Sequence, residues 1–376
     1  MNVTIAIDSF KECATSTELG KAIERGIQPF ANPVHVIPIS DGGEGAIESV
    51  AAAFDGQYIK FDSLNPFGEA IQEDYFLTTI EGIETAVIES ARFVGIHFLK
   101  GRKEESYLGS SYGLGLAVSD AVSRGVKQLI VTLGGSGTTD GGLGMLQGLG
   151  ARLFDAAGQL LAAGCENPLL VTHQLEIEKA KQRLAGVKLI VANDVANPYC
   201  GRKGAARIFG PQKGLTAAQI EQLDTQLYLT AEYLVQNGFA DLRLIAGAGA
   251  AGGLGGAFAL LDGEMQPGFS IFSKLTRLEE HIAKSDWVIT GEGCLDTQSS
   301  AGKVPYGVAQ LAAKYHTSVL LLCGSYEEIP EQALFDGIFS IQREPVSLQQ
   351  AMDRDYTLKN IEMISHELFK MLAKKK

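Results

Sequence analysis

Residues 1–30 read MNVTIAIDSFKECATSTELGKAIERGIQPF, and the order of elements in this stretch decides the fold class. Val3–Ile7 is apolar and β-branched without polar alternation, which is how a strand buried on both faces of a parallel sheet reads. Thr17–Phe30 follows with a helical pattern, and Thr17 stands where an N-cap is expected. The same pairing recurs along the chain. Val34–Ile39, Ala86–Ile88, Leu129–Leu133, Val187–Ala192, Trp287–Thr290 and Val319–Cys323 read as strands. Gly45–Phe54 and Leu114–Arg124 read as helices, with Gly125 as a stop signal for the latter. Strands alternating with helices imply an α/β fold built on parallel sheets.

Two departures from this rhythm suggest a second domain. Phe61–Glu81 has β-like character with turn signals at Asn65-Pro66 and Glu81-Gly82. From about Ala283 the simple strand–helix order resumes and continues to the end. The expectation is one α/β domain from residues 1–60 and 283–376, with a second α/β domain, 61–282, inserted. A chain of 376 residues is long enough for two domains of about 150 residues or more. The last helix, Asn360–Ala373, places Ile361, Ile364, Leu368 and Met371 on one face, which should dock on the sheet. No internal repeat is evident.

Composition excludes several functions. A net charge of −12 argues against a nucleic-acid or anionic-membrane partner, each of which needs a basic face. The N-terminal run lacks a basic n-region and a long apolar core, so no signal peptide is expected, and no stretch of about 18 uncharged apolar residues suggests a membrane span. Five cysteines, odd in number and without a CxxC, fit reduced thiols and a cytoplasmic location. The three terminal lysines, Lys374 to Lys376, read as a solvated tail. The P-loop pattern, HExxH and GxSxG are all absent from the sequence.

Candidate chemistry gathers at strand ends. Asp8, Asp41, Asp194 and Glu292 each follow an apolar strand run, the place where open parallel sheets bind ligands. A carboxylate there can hold Mg²⁺ or take a proton from a hydroxyl; the plainer reading is a cap for the next helix. The run Gly134–Gly142 leaves a strand and enters a helix, Leu143–Leu149. Its Gly135, Ser136, Thr138, Thr139 and Asp140 suit phosphate or carboxylate binding, with the helix start adding its positive end. A second run, Gly247–Gly256, contains GxGxxG with Asp262 beyond it. That motif alone is a weak dinucleotide fingerprint, and a glycine-packed helix start explains it equally well. Basic residues near these loops are few: Lys11, Arg202, Lys203, Lys213 and Lys303, the last opening the helix Val304–Ala313.

Several of these stretches together resemble the bacterial type 1 glycerate kinase family over nearly the whole chain. They are Asp8-Ser9-Phe10-Lys11, Ser40-Asp41-Gly42-Gly43-Glu44-Gly45, the Gly134–Gly142 loop, Asn193-Asp194-Val195 with Asn197-Pro198, Phe209–Gly214, the Gly247–Gly256 loop, and Thr290-Gly291-Glu292-Gly293. Asp296 and Gly302-Lys303-Val304-Pro305 continue the last block. Cys294 and Thr297 stand where the family has Arg and Gly, while Gly293, Asp296, Gln298 and Ser299 remain. The resemblance implies a flavodoxin-like domain with an inserted α/β domain and an active site in the cleft between them. It implies ATP-dependent phosphorylation of glycerate, 2-phosphoglycerate being favoured over 3-phosphoglycerate as product, which would feed glycerate into central carbon metabolism.

On that basis Asp194, Asp8 and Lys11 are the catalytic candidates, with Asp194 the first choice of base. Asp41, Glu44, Glu292 and Asp296 are the Mg²⁺ candidates. Gly135, Ser136, Thr138, Thr139, Asp140, Asn193, Asn197, Lys213, Gly249, Gly252 and Lys303 are the substrate or phosphate contacts. Assembly into a homo-oligomer is left open. The alternative from the residues is an NAD(P)-dependent oxidoreductase acting on a small hydroxy acid and reading Gly247–Gly252 as its fingerprint.

Overall fold

A computed structural model describes residues 1–164, 166–295, 303–327 and 332–374 of the chain. They form two compact units, Met1–Ala53 with Pro267–Lys376, and Phe54–Gln266. The expected edges were 60/61 and 282/283. The units part earlier at both places. The strand Gly56–Leu64 pairs along its whole length with Ala70–Ile80, and the helix Gly268–Leu275 packs on the helix Ala46–Ala53.

The first unit carries a five-stranded sheet ordered Gly337–Ser340, Ser318–Tyr326, Trp287–Leu295, Val3–Ile5, Val34–Val36, with every pairing parallel. Counted along the chain within this unit, the order is 2-1-3-4-5, the flavodoxin-like arrangement. The chain reverses its direction of travel between Val3–Ile5 and Trp287–Leu295, so the loops after these two strands diverge and leave a crevice there. Val3, Ile5, Val288, Ile289, Leu321 and Leu322 are all buried, which is why these runs read as continuously apolar.

The first helix, Ser16–Ile27, starts one residue earlier than expected and its cap is Thr15, not Thr17. Thr15 Oγ1 accepts from Glu18 N (3.2 Å), and Glu18 Oε2 accepts from Thr15 N (3.0 Å), a reciprocal capping box. Thr15→Ala should therefore cost about 1 kcal/mol of stability, read as a shift in the denaturant midpoint at constant slope. An unchanged midpoint would show that the cap is replaceable by water. The last helix, Arg354–Ala373, buries Ile361, Leu368 and Phe369 against the first helix, where Gly26 brings the backbones together. Met371, expected on that face, is exposed.

The second unit carries a six-stranded sheet ordered Glu264–Gln266, Lys188–Ala192, Gln128–Thr132, Ile83–Glu89, Ala70–Ile80, Gly56–Leu64. The first four are parallel and the last two join antiparallel. Both turn signals fall at the strand connections. Asn65 Oδ1 accepts from Phe67 N and Glu69 N, and Glu81 and Gly82 both have positive φ, as a two-residue hairpin turn requires. The core here includes Leu129, Val131, Val191, Leu146 and Phe258. Among the described residues no helix is long and apolar enough to cross a membrane. Cys13, Cys200, Cys294 and Cys323 are free thiols; Cys165 lies outside the described residues.

Candidate active site

In the first unit Asp8 follows the strand Val3–Ile5 and Asp41 follows the edge strand Val34–Val36, while Glu292, expected after its strand, lies within Trp287–Leu295. The charges of Asp41 and Glu292 both reach Asp8 at the crevice left by the strand order. Asp8 N donates to Gly291 O (3.0 Å), which fixes the first loop beside the third strand. The Asp8 side chain is 5% exposed and accepts from Ser9 N (2.8 Å). Burial first, and then the Asp41 carboxylate, hold the Asp8 carboxyl well above the ordinary aspartate range; Glu292 adds to the rise, while the Ser9 N–H and Lys11 oppose it. Asp41 lies in a loop wound on its own side chains. Gly43 N donates to Asp41 Oδ1 (2.9 Å), Gly42 N to Ser40 Oγ (3.1 Å), and Ser40 Oγ to Glu44 O (3.1 Å). Gly268 lies so close that a Cβ there would come within 1.8 Å of Asp41 O.

Glu292 is 7% exposed and pairs with Lys303, whose Nζ lies 3.6 Å from its Oε2. Lys303 is also the N-cap residue of the helix Val304–Lys314. The hydroxyl of Thr290, two residues before Glu292, is buried with no partner among the described residues. Lys11 and Glu44 are exposed. Asp296, Thr297, Gln298, Ser299 and Gly302 lie outside the described residues. Among the described residues no three His, Cys, Asp or Glu side chains form a ready ligand set for a metal. Cys294 is exposed and its sulfur accepts from Ser325 Oγ (3.4 Å).

In the second unit the Gly134–Gly142 loop leaves the strand Gln128–Thr132 and meets a residue distant in sequence. Lys213, 1% exposed, donates to Ser136 Oγ (3.3 Å), Thr139 Oγ1 (3.3 Å) and Thr138 O. Burial pulls its ammonium down to about 7, against a smaller opposing pull from Asp140. Asp140 itself is a structural carboxylate. It accepts from Ser111 N (2.6 Å), Ser111 Oγ (2.7 Å), Gly142 N (3.0 Å) and Gly144 N (3.2 Å). Its oxygens thus occupy the start of the short helix Leu143–Gly148, where the sequence suggested a ligand anion.

Asn193 turns back on Val195 N and O, and Asn197 donates to Lys203 O, so both amides organise their own loop. Asp194 is exposed. The second glycine run is preceded by turns rather than a strand, and the helix that follows, Leu254–Leu260, has seven residues. This is not the strand–turn–helix of a dinucleotide fingerprint, and the oxidoreductase alternative has no support. A Cβ at Gly249 would sit 2.2 Å from Pro198 O, and one at Gly252 would sit 2.0 Å from Thr138 O. These glycines serve close backbone packing.

One strand-end acid went unnoticed in the sequence. Glu89, 4% exposed, ends the strand Ile83–Glu89 and pairs with Arg92 (3.1 Å), which also reaches Asp74 (2.6 Å). The signal was available, since Glu89 directly follows the apolar Ala86–Ile88 run.

The glycerate kinase family profile matches residues 3–373. A glycerate kinase from Halalkalibacterium halodurans is 39% identical over 376 residues, covering 96% of this chain and 98% of the relative. A glycerate 2-kinase from Escherichia coli is 38% identical over 362 residues, covering 95% and 94%. A solved structure from Salmonella typhimurium LT2, provisionally described as glycerate kinase 2, superposes with a TM-score of 0.85 at 34% identity, covering 100% of this chain and 99% of that one. With the match running through both units, the chain belongs to the glycerate kinase family.

Proposed function

We propose that this glycerate kinase transfers the γ-phosphoryl group of ATP to the 2-hydroxyl of glycerate, giving ADP and 2-phosphoglycerate. The choice of the 2-position is supported by the name of the Escherichia coli relative. The observation that carries the chemistry is the buried Asp8 carboxyl, held high by burial and by the charges of the half-buried Asp41 and the buried Glu292, at the crevice of a parallel sheet.

The substrate hydroxyl oxygen forms a new bond to the γ-phosphorus as the bond to the bridging oxygen of ADP breaks, and the hydroxyl proton passes to a carboxylate. Asp8 takes that proton in our reading. Its surroundings make it a stronger base than an ordinary aspartate, and it is held in place by Ser9 N and by its own backbone bond to Gly291. Asp194, by contrast, is exposed on the second unit. Mg²⁺ suits a site with carboxylates that repel one another, because it is usually held by one or two carboxylates and the substrate phosphates rather than by an all-protein cage. Asp41, Glu44, Glu292 and Asp296 are the residues that would hold it, and the ion would neutralise phosphate charge. Lys303, already beside Glu292, and Lys11 add positive charge nearby. The Ser136–Thr139 arc receives an anionic group. The reaction is cytoplasmic and feeds glycerate into central carbon metabolism.

The test is to incubate enzyme, glycerate and MgATP and record the phosphorus spectrum of the product with proton coupling retained. A phosphate on C2 couples to a single methine proton and gives a doublet. One on C3 couples to two methylene protons and gives a triplet. A triplet overturns the assigned position, and no ADP release overturns the activity.

A further inference from the structure

Lys213 is enclosed in the second unit, with three acceptors around its nitrogen: Ser136 Oγ, Thr138 O and Thr139 Oγ1. Three acceptors require three N–H donors, and only the ammonium form of lysine has them. No carboxylate bonds this ammonium among the described residues. The nearest acid in its field, Asp140, is engaged by its four donors from Ser111, Gly142 and Gly144. The positive charge is thus buried without an anion bonded to it, which is unusual for lysine.

The hydroxyls around it are in the complementary state. A Ser or Thr hydroxyl has one proton to donate, and accepting from Lys213 leaves that proton without an assignment. No acceptor takes the hydroxyl protons of Ser136 or Thr139 among the described residues, and Thr138 Oγ1, fully buried, has no partner there either. The loop meets solvent at Gly134 and Gly135, directly before Ser136.

We propose that Lys213 is the positioning residue of an anion site on the Ser136–Thr139 arc: by donating to the arc, its ammonium turns the Ser136 and Thr139 hydroxyl protons toward a bound phosphate or carboxylate oxygen. Lys213 acts through these hydroxyls, since its own three protons are already used. The inference rests on the proposed function in that the anion is a substrate group. Neutral Lys213 has two protons and a lone pair, which would draw one hydroxyl proton back and withdraw it from the ligand. Binding at the arc therefore demands a protonated Lys213, and above pH 7 it takes up a proton. Among the described residues Asp140 acts on this ammonium, and the segments packed around it also carry Tyr199 on Gly141, Lys103 beside Gly214, Arg207 held by Glu221 and Asp224, and His97 beside Gly95, which bridges Ser136.

The experiment is titration calorimetry of the full chain at pH 8, in two buffers of different protonation enthalpy, with MgADP and glycerate added separately. Neither ligand titrates there, and a histidine with an ordinary pKa contributes little. The expected result is uptake of most of one proton with the ligand that occupies the arc. Uptake with MgADP identifies a phosphate as occupant, and uptake with glycerate identifies a carboxylate. Lys213→Met should abolish the uptake and raise KM for that ligand at least ~10-fold with a flat pH profile, the loss expected when a hydrogen-bonded charge is removed from a binding site. Lys213→Arg, which stays charged, should also bind without uptake and guards against misfolding of the Met variant. Binding of both ligands to the wild-type enzyme without uptake overturns the inference. Glycerate phosphorylation would then still stand, because turnover by MgATP is measured separately.

Discussion

Asp8→Asn is expected to lower kcat by at least about 10²-fold, the low end for a lost general base and equivalent to about 2.7 kcal/mol of barrier. The melting temperature should not fall with it. Asn preserves shape and can still accept from Ser9 N (2.8 Å). It also removes a carboxyl whose ionised form is disfavoured in the folded chain by burial and by the Asp41 and Glu292 charges. The sign follows from linkage. A carboxyl raised in the folded state costs stability once pH exceeds its unfolded value, so replacing it near neutrality is neutral or stabilising. Loss of activity without loss of stability separates a chemical role from a structural one. The same substitution at Asp194 is the control. If Asp194→Asn lost ~10²-fold while Asp8→Asn stayed near wild type, the base would be the exposed residue of the second unit.

The buried strands were legible because burial on both faces leaves an unbroken signature. Leu129, Ile130 and Val131 in one sheet, and Leu320, Leu321 and Leu322 in the other, are buried whichever face they point to, so no polar residue interrupts either run. The hairpin strands were read only as β-like, since Gly56–Leu64 is exposed along much of its length and carries Lys60 and Asp62. At the first helix, Thr15 and Thr17 are equivalent by residue type. The reciprocal bond to Glu18 distinguishes them, and the spacing Thr15-x-x-Glu18 was there to be read.

The site was legible in its residue types and less so in their roles. A carboxylate in a glycine loop looks the same whether it awaits a ligand or caps its own helix. Asp140 is the second kind, because Ser111, some thirty residues earlier, supplies two of its donors. Lys213 reads as a loop lysine beside Gly214; its burial against Ser136 and Thr139 is a contact across more than seventy residues that no local pattern encodes. Asp8 and Asp41 were recognisable as acids after their strands, whereas Glu292, read as following Trp287–Thr290, lies inside a strand that continues to Leu295. That the charges of Asp41 and Glu292 both reach Asp8 depends on strand order, with Val3–Ile5 lying between Val34–Val36 and Trp287–Leu295.

Gly252→Val is expected to destabilise the second unit by about 2–5 kcal/mol, the sum of left-handed backbone strain of about 1–2 and overpacking of about 1–3. For a unit of this size that is a fall in Tm on the order of 5–20 °C. Gly252 has φ +72, and a Cβ there would stand 2.0 Å from Thr138 O, while its own carbonyl accepts from Gly141 N (3.0 Å). The two glycine runs are therefore stitched together, and the second holds the first in place. Gly158→Val provides the comparison, because Gly158 has φ +75 but nothing within 4 Å of the added atom. It should show the backbone strain alone, and the difference between the two variants measures the contact with Thr138. That carbonyl is also an acceptor for Lys213, so Gly252→Val should raise KM for the ligand of the Ser136–Thr139 arc as well as lower Tm, whereas Gly158→Val should leave KM unchanged. Equal melting shifts for the two variants would mean that Gly252 is not needed for loop contact, and direct ligand contact by the second run would become the better reading.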